Sequence, residues 1–295
     1  MNEREQTVVV PPDGAPDRLD RWLPLLTELS RSRTRKVIDA GGAYIDGRRC
    51  RTQSRVVGPG ARLRVVWSEA PVVPSGDEPA IVYRDSDILV LDKPPGVACQ
   101  ATRTSVHGTV EQWARGLPGV DYIALHHRLD RPARGLLVVG LAKRANRDLA
   151  RAFSERTAVR RYRALLAGAV AGDAGTWQHR FVEADGDRRA EPWAEEGLEM
   201  RSEWRVLERF ATQTLVEVRL HTGRTHQIRL QTAAAGTPVV GDRRYGHAEP
   251  GGLRLQAFAL ELRHPVHGET LSFELDPPPE WGLDALRSGA ATSEP

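Results

Sequence analysis

Cysteine and lysine are scarce in this chain of 295. Two cysteines, Cys50 and Cys99, are too few for a disulfide scaffold or for a thiolate zinc site, which wants about four clustered ligands. No stretch approaches the roughly 18 uninterrupted apolar residues of a membrane-spanning helix. Met1 to Gln6 is polar, where a secretory leader would place a positive start and then an apolar run. These absences exclude redox, structural-zinc and membrane classes and lead to the expectation of a cytoplasmic globular protein. Lysine occurs only at Lys36, Lys93 and Lys143 among 42 basic residues. A GC-rich genome produces the same bias, so the placement of the arginines says more than their number.

That placement is uneven. The net charge is +3, yet Arg31 to Arg64 holds ten basic residues against Asp39 and Asp46, leaving the rest of the chain at −5. A solvated face carries such charge as readily as a binding surface. Its density in so short a stretch nevertheless points to nucleic acid, with Arg31, Arg33, Arg35, Lys36, Arg48 and Arg49 as the candidate contacts.

Residues 1–15, rich in proline and charge, are expected to form a flexible tail. Residues 16–70 read as a small αα-β domain. A first amphipathic helix from Leu19 is interrupted near Pro24, and a second, capped by Ser30 or Ser32, closes at Gly41-Gly42. Asp46-Gly47 marks a hairpin, and Leu63, Val65 and Trp67 alternate as a strand does. Residues 71–79, dense in proline, read as a linker. Residues 80–283 read as a second domain, and 284–295 as another flexible tail. Strands are expected at Ile88–Leu91, Leu136–Leu141, Tyr162–Leu166, Trp204–Phe210, Thr214–Leu220, Leu253–Leu262 and Phe273–Leu275. A helix begins at Val110 to Trp113, and another carries Ala145, Leu149, Ala152 and Phe153 on one face. Many consecutive strands with few long helices predict an α+β fold with a mixed, largely antiparallel central sheet flanked by helices and loops.

Two stretches concentrate chemistry. His126-His127-Arg128-Leu129-Asp130-Arg131-Pro132-Ala133-Arg134-Gly135 precedes a buried strand, and Pro132 and Gly135 keep it out of helix. Asp130 is thereby expected on an irregular loop at the mouth of a sheet. Arg128, Arg131 and Arg134 are its nearest charges in sequence, and a close cation lowers an aspartate by ~1–3 pKa units, keeping it ionised as a nucleophile. A structural ion pair uses the same residues. The second stretch runs from Gly223 to Gln231. Thr225 is expected to cap a helix through Ala233–Ala235, so Arg229 lies near its start beside Ile228, a natural place for a phosphate or carboxylate. An exposed arginine on a helix turn is the plainer alternative. His221, His226, Asp242 and His247 lack the i, i+4 spacing of a metal site. Tyr162, flanked by Arg160, Arg161 and Arg163, suits either a base-stacking platform or a core position.

Together these stretches resemble the RluA-type pseudouridine synthases. The likeness is carried by Asp87–Gly96, His127–Arg131, Arg161–Ala164, Gly223–Arg229, Gly241–Gly246 and Leu255–Ala257 through His264-Pro265, in the family's order. The stretch Leu19–Gly47, ending in Tyr44-Ile45-Asp46-Gly47-Arg48, is similar to the small RNA-binding domain, first known from a ribosomal protein, that often precedes that catalytic domain. The resemblance implies an enzyme that detaches uracil from its ribose in rRNA or tRNA, rotates it and rejoins it through carbon 5, with neither cofactor nor metal. Asp130 would be the catalytic carboxylate, attacking ribose or base or removing a sugar proton. Tyr162 would stack on the uracil and assist proton loss from carbon 5, Arg229 would pair with Asp130, and Ile228 would floor the pocket. Arg128 would fill the space left by the everted uridine, with Arg131 and Arg224 as further substrate contacts.

The expected partner is therefore RNA, with no DNA or membrane and a monomeric state. Three positions depart from the family. Ala133-Arg134 stands where Thr-Ser is usual, Gln231 where a His is frequent, and Gln100-Ala101 near a common His-Pro. The other readings are a non-catalytic RNA-binding or ribosome-assembly protein on the same fold and a metal-dependent phosphodiesterase built on the histidines.

Overall fold

The computed structural model describes residues 3–39, 41–68, 78–100, 108–184, 187–191 and 196–288. Residues 71–77 of the expected linker, Ala101 and residues 289–295 of the expected tail lie outside these. The chain divides into two units, one comprising residues 1–77 with 97–120, the other 78–96 with 121–295. Segment 97–120 thus packs with the first unit rather than continuing the second domain. Within that unit Thr109 caps the helix Val110–Arg115, and Arg51 forks onto both oxygens of buried Glu111 at 2.8 and 3.1 Å.

The first unit carries a four-stranded antiparallel sheet in the order Glu3–Val9, Arg62–Ser68, Ala43–Ile45, Arg48–Cys50. Residues 3–9 are therefore an edge strand, not a tail. Gln6, Val8 and Val10 alternate toward the core with exposed Thr7 and Val9 between, a period of two that the composition obscures. The helix Leu19–Leu26 runs two residues past Pro24 instead of breaking there. In the helix Arg31–Asp39, Ser30 Oγ accepts from Arg33 N at 3.3 Å, which is the expected cap. Asp46 and Gly47 both have positive φ (47° and 76°), as a tight two-residue hairpin requires. Leu19, Leu23, Val37, Ile38, Leu63, Val65 and Trp67 close the core.

The second unit is built on an eleven-stranded sheet. Its order is Asp187–Glu191, Ala174–Ala184, Leu198–Arg209, Gln213–Leu220, Val159–Ala167, Leu255–Arg263, Arg134–Gly140, Ile88–Lys93, Ala80–Arg84. Thr270–Glu274 and Ala124–Leu125 pair beside this path. All its strand pairings are antiparallel except Arg134–Gly140 with Leu255–Arg263. The expected mixed, largely antiparallel α+β sheet is what forms. At the parallel crossing Gly135 has φ +115°, and a Cβ there would lie 2.3 Å from the Ala257 carbonyl oxygen, so the backbones meet only because the side chain is absent. The helix Lys143–Ser154 covers one face through Ala145 and Leu149, against Ile88, Val90, Leu136, Val138 and Leu260.

The C-terminal boundary also moves. Residues 283–287 form a helix rather than the start of a tail, because Trp281 and Leu283 plug a cluster with Leu165, Leu215 and Val240. Arg287 then forks onto Glu208, both contacts at 2.9 Å. Among the described residues no helix is long and apolar enough to cross a membrane.

Candidate active site

The site begins with how the chain holds Asp130. His127 is buried, stacks on Phe153 at 4.3 Å between ring centres, and accepts the Val138 backbone N–H on Nε2 at 3.0 Å. Burial, reinforced by the charges of Arg160 and His126, pushes this imidazole well below its ordinary value, so it sits neutral as an acceptor. On the other side, Lys93 is fully buried and donates to the carbonyl oxygens of Pro94 (2.8 Å) and Arg131 (3.2 Å). Gly96 N donates to that same Arg131 carbonyl at 2.8 Å, and Arg131 Nε returns a 2.8 Å bond to the Gly96 carbonyl. Leu129 and Ala133 are buried. The loop is thus fixed before and after Asp130, whose side chain keeps 20% of its exposure.

The second wall is the helix Gln227–Ala234 and the turn before it. Thr225 does not cap this helix. His226, in the left-handed region (φ 58°), is the cap residue and makes no side-chain cap bond, while Thr225 Oγ accepts from Arg128 Nη2 at 3.1 Å. Behind the helix, Gln227 accepts from Thr222 Oγ and Arg224 N and donates to Ser202 Oγ and the Arg201 carbonyl. Gln231, with no exposure, accepts from Ser202 Oγ at 2.6 Å and donates to the carbonyls of Trp177 and Met200. The departure at Gln231 therefore anchors the helix to the sheet and does not face the cleft.

This packing brings Arg229, only 5% exposed, beside Asp130, with Nη1 to Oδ2 at 3.2 Å. Its other edge forks onto Asp242, Nε to Oδ2 and Nη2 to Oδ1 both at 2.7 Å. Burial opposes charge on both groups. The ion pair outweighs it, raising Arg229 and, with backbone N–H bonds from Arg244 and Tyr245, lowering Asp242. His226 Nε2 lies 3.8 Å from Asp130 Oδ1, and its Nδ1 lies 2.8 Å from the Tyr245 hydroxyl.

Asp130, Arg229, Tyr162, Ile228, Arg128 and Arg224 all line one open cleft, together with Ala133, Arg160, His226 and Leu255. Tyr162 reaches it from the strand Val159–Ala167, at a point where the pairing with Leu255–Arg263 slips by one residue. A bulge of this kind re-aims a side chain. Of the arginines nearest Asp130 in sequence, none takes the place expected of it beside the carboxylate. Arg128 goes to Thr225, Arg131 to Gly96 and a neighbouring cavity with Arg243 and Arg244, and Arg134 to Glu280 and Asp92. Arg131 is thus not brought into the cleft, and the guanidinium gained at Arg134 points away from it. The residues missed in sequence are Arg160, the Asp242–Tyr245 turn and the position of His226. The Gly241–Gly246 stretch was the available signal for the turn.

No three acidic, histidine or cysteine groups gather as metal ligands among the described residues. Asp242 is taken by Arg229 and His221 lies 2.9 Å from Glu203, so the proposed histidine set does not assemble. In the first unit Arg31, Arg35, Lys36 and Arg48 are exposed and Arg33 and Arg49 half-buried. Arg35 lies 3.4 Å from Asp20, and Arg49 donates to the Tyr44 hydroxyl at 2.8 Å.

Residues 87–234 match the family model described as RNA pseudouridylate synthase. An uncharacterized RNA pseudouridine synthase of Aquifex aeolicus is 32% identical over 290 residues, covering 90% of this chain and 92% of that one. The ribosomal large subunit pseudouridine synthase D of Nitrosomonas europaea is 32% identical over 97% of this chain and 89% of its own. The solved structure of human RNA pseudouridylate synthase domain containing 1 superposes with a TM-score of 0.58 at 28% identity, over 74% of this chain and 97% of that one.

Proposed function

The chain belongs to the RNA pseudouridylate synthase family, and from that membership we propose that Asp130 is its catalytic carboxylate, with ribosomal RNA as the substrate. The activity itself follows from the family: the protein is an RNA pseudouridine synthase, an isomerase acting on uridine in RNA. The reaction breaks the bond between N1 of the base and C1′ of the ribose. The detached base turns, C5 bonds to C1′, and the proton on C5 leaves while N1 gains one. Nothing is consumed.

The observation that carries the assignment is the 3.2 Å contact between Asp130 Oδ2 and buried Arg229 in a cleft that Tyr162 also lines. Arg229 holds Oδ2, so Oδ1 is the oxygen turned to the nucleoside. Attack on the sugar, attack on the base and removal of a sugar proton all need this carboxylate ionised, fixed and sheltered. Tyr162 stacks on the uracil, which offsets part of the few kcal/mol spent in everting a base. Its hydroxyl helps the C5 proton leave, and Ile228 closes the floor. Arg128, exposed at the rim, fills the gap in the RNA. Walls on both sides keep water from the detached sugar, where it would trap the intermediate as a hydrolysis product.

The first unit supplies charge along Arg31, Arg33, Arg35, Lys36, Arg48 and Arg49 for phosphates. Ribosomal RNA is proposed over tRNA because relatives similar along nearly the whole chain are named for the large ribosomal subunit. The test is tritium release from RNA labelled at uridine C5, with ribosomal and transfer RNA offered separately. Release is expected from ribosomal RNA, and Asp130→Asn is expected to abolish it while binding RNA as before. Full activity of Asp130→Asn would overturn the catalytic assignment, and release from transfer RNA alone would overturn the substrate.

A further inference from the structure

The loop that carries Asp130 has a second concavity beside it, which the isomerisation leaves unused. Asp130 and Ala133 line the cleft. The two residues between them, Arg131 and Pro132, line this other groove, and Arg229 lines both. The loop is therefore the partition between the two.

The walls of the groove are of two kinds. Pro95, Pro132 and Leu253 supply apolar surface, and exposed Arg131, Arg243 and Arg244 supply charge from two separate segments. Gly241 and Gly252 also line it, and their backbones meet so closely that a Cβ on Gly241 would overlap the Gly252 carbonyl oxygen. That part of the wall is thus preformed, as ligand sites usually are. Asp242 is the acid of the wall, and it is already spent. It is 1% exposed, takes the Arg229 fork at 2.7 Å on each oxygen, and accepts the backbone N–H groups of Arg244 and Tyr245. Arg131 Nε donates to the Gly96 carbonyl at 2.8 Å, which fixes the guanidinium and leaves its two Nη groups, an edge that suits two phosphate oxygens. Arg243 makes no hydrogen bond or ion pair with another described residue.

From this arrangement we infer that the groove is a second RNA subsite, taking a nucleotide that flanks the uridine under reaction. Its phosphate lies on Arg131 and Arg243, and its sugar and base lie against Pro95, Pro132 and Leu253. The inference rests on the cleft being the uridine site. A strand that sends one base into the cleft must cross the partition, and its next nucleotide then meets the groove. Eversion also strips that neighbour of its stacking partner, so an apolar wall offsets part of the cost. The apolar side chains carry no donor or acceptor for a base edge, so the subsite holds the strand in register without reading its sequence.

The test uses RNA tritiated at uridine C5, from whichever pool, ribosomal or transfer, the unsubstituted protein acts on. Arg243→Ala, on the full chain, is expected to raise KM about tenfold with kcat within about twofold, because a contact made equally before and during reaction is lost. Arg243→Glu should raise KM further. Arg147→Ala, which removes the same charge from an exposed helix position outside the groove, should leave KM native. The slope of log affinity against log salt should fall by about 0.7 in Arg243→Ala, as for one phosphate released. The position is read by binding RNA whose phosphates have been ethylated at random. Ethylation of a phosphate next to the isomerised uridine should exclude RNA from the unsubstituted protein and be tolerated by Arg243→Ala. Native KM in both Arg243 variants, an equal rise in Arg147→Ala, or the same interference pattern in both proteins would overturn the inference. Binding needs no turnover, so an error about the role of Asp130 would show in Asp130→Asn and leave this readout standing.

Discussion

Arg35 and Arg229 lie on short helices of eight or nine residues, Arg31–Asp39 and Gln227–Ala234, in opposite surroundings. The side chain of Arg35 is 59% exposed and reaches buried Asp20 at 3.4 Å, on a carboxylate that Arg18 already holds at 2.8 and 3.0 Å. Arg229 has 6% of its side chain exposed and touches two carboxylates in a plane. The first is an exposed cation added to a carboxylate that Arg18 already pairs, and a solvent-exposed cation of that kind contributes about 0–1 kcal/mol. The second is held by geometry, and removing a partner from such a buried pair leaves an uncompensated charge. The same residue type thus serves two purposes: one set is interchangeable within a field, and the other is defined by which nitrogen meets which oxygen.

The sharpest way to break this contrast is to keep the charge and change the shape. Arg229→Lys retains a cation but cannot reach Asp242 on two teeth and Asp130 on a third. Turnover is expected to fall on the order of 100-fold or more, with RNA affinity from filter binding unchanged. A lysine that supported near-native kcat would mean that charge suffices in the cleft too. Arg35→Lys, by the same measurement, is expected to be silent.

Position along the chain explains why one half of the contrast was legible and the other was not. The basic helix reads directly, since Ser30, the exposed arginines and the buried Val37 and Ile38 are all local, and helix capping and amphipathicity act within a few residues. The cleft reads only in part. Asp130, Tyr162 and Arg229 could be named from a resemblance, but the partners of Asp130 could not be deduced from its neighbours in sequence. Pro132 and the Lys93 clamp turn Arg131 outward, and Arg134 leaves the loop on a strand facing Asp92 and Glu280. Arg229 arrives from 99 residues away because the Ser202, Gln227 and Gln231 network seats its helix on the sheet. Residues 3–9 are obscured for a different reason: their charged, polar composition hides the inward alternation of Gln6 and Val8. The strand Ala174–Ala184 went unread because its polar residues mask Trp177, which stacks on Trp204 only once the sheet is formed.

A second test asks whether the cleft's rigidity comes from its neutral buried imidazole. Folding lowers the pKa of His127 well below the ordinary 6.5, so the unfolded chain binds the proton more readily. The stability this group contributes is complete above 6.5 and is lost as pH falls below it toward the folded value. His127→Phe keeps the stack on Phe153 but leaves the Val138 N–H without its acceptor. It should cost about 1–3 kcal/mol near neutrality and flatten the acid loss of stability just below pH 6.5. Urea titrations at several pH values check both. An unchanged slope with pH would show that another group carries it.

The smallest effect belongs to the exposed arginines, and its smallness is what the comparison requires. Arg31→Ala, Arg35→Ala and Lys36→Ala combined remove three cations from one helix without touching Thr34, Val37 or Ile38, which are buried. Stability is expected to change little, since the three cations are exposed and buried Asp20 keeps its fork from Arg18. Turnover at saturating RNA should be native, because none of the three lines the cleft. RNA affinity should weaken, and the slope of log affinity against log salt should drop by about 0.7 for each phosphate that is no longer neutralised. The wild-type and triple-variant lines then converge at high salt, where counterions compete away what these side chains supply. A deficit that persisted at high salt, or that fell on kcat, would place these residues in a shaped contact like that of Arg229 and erase the distinction.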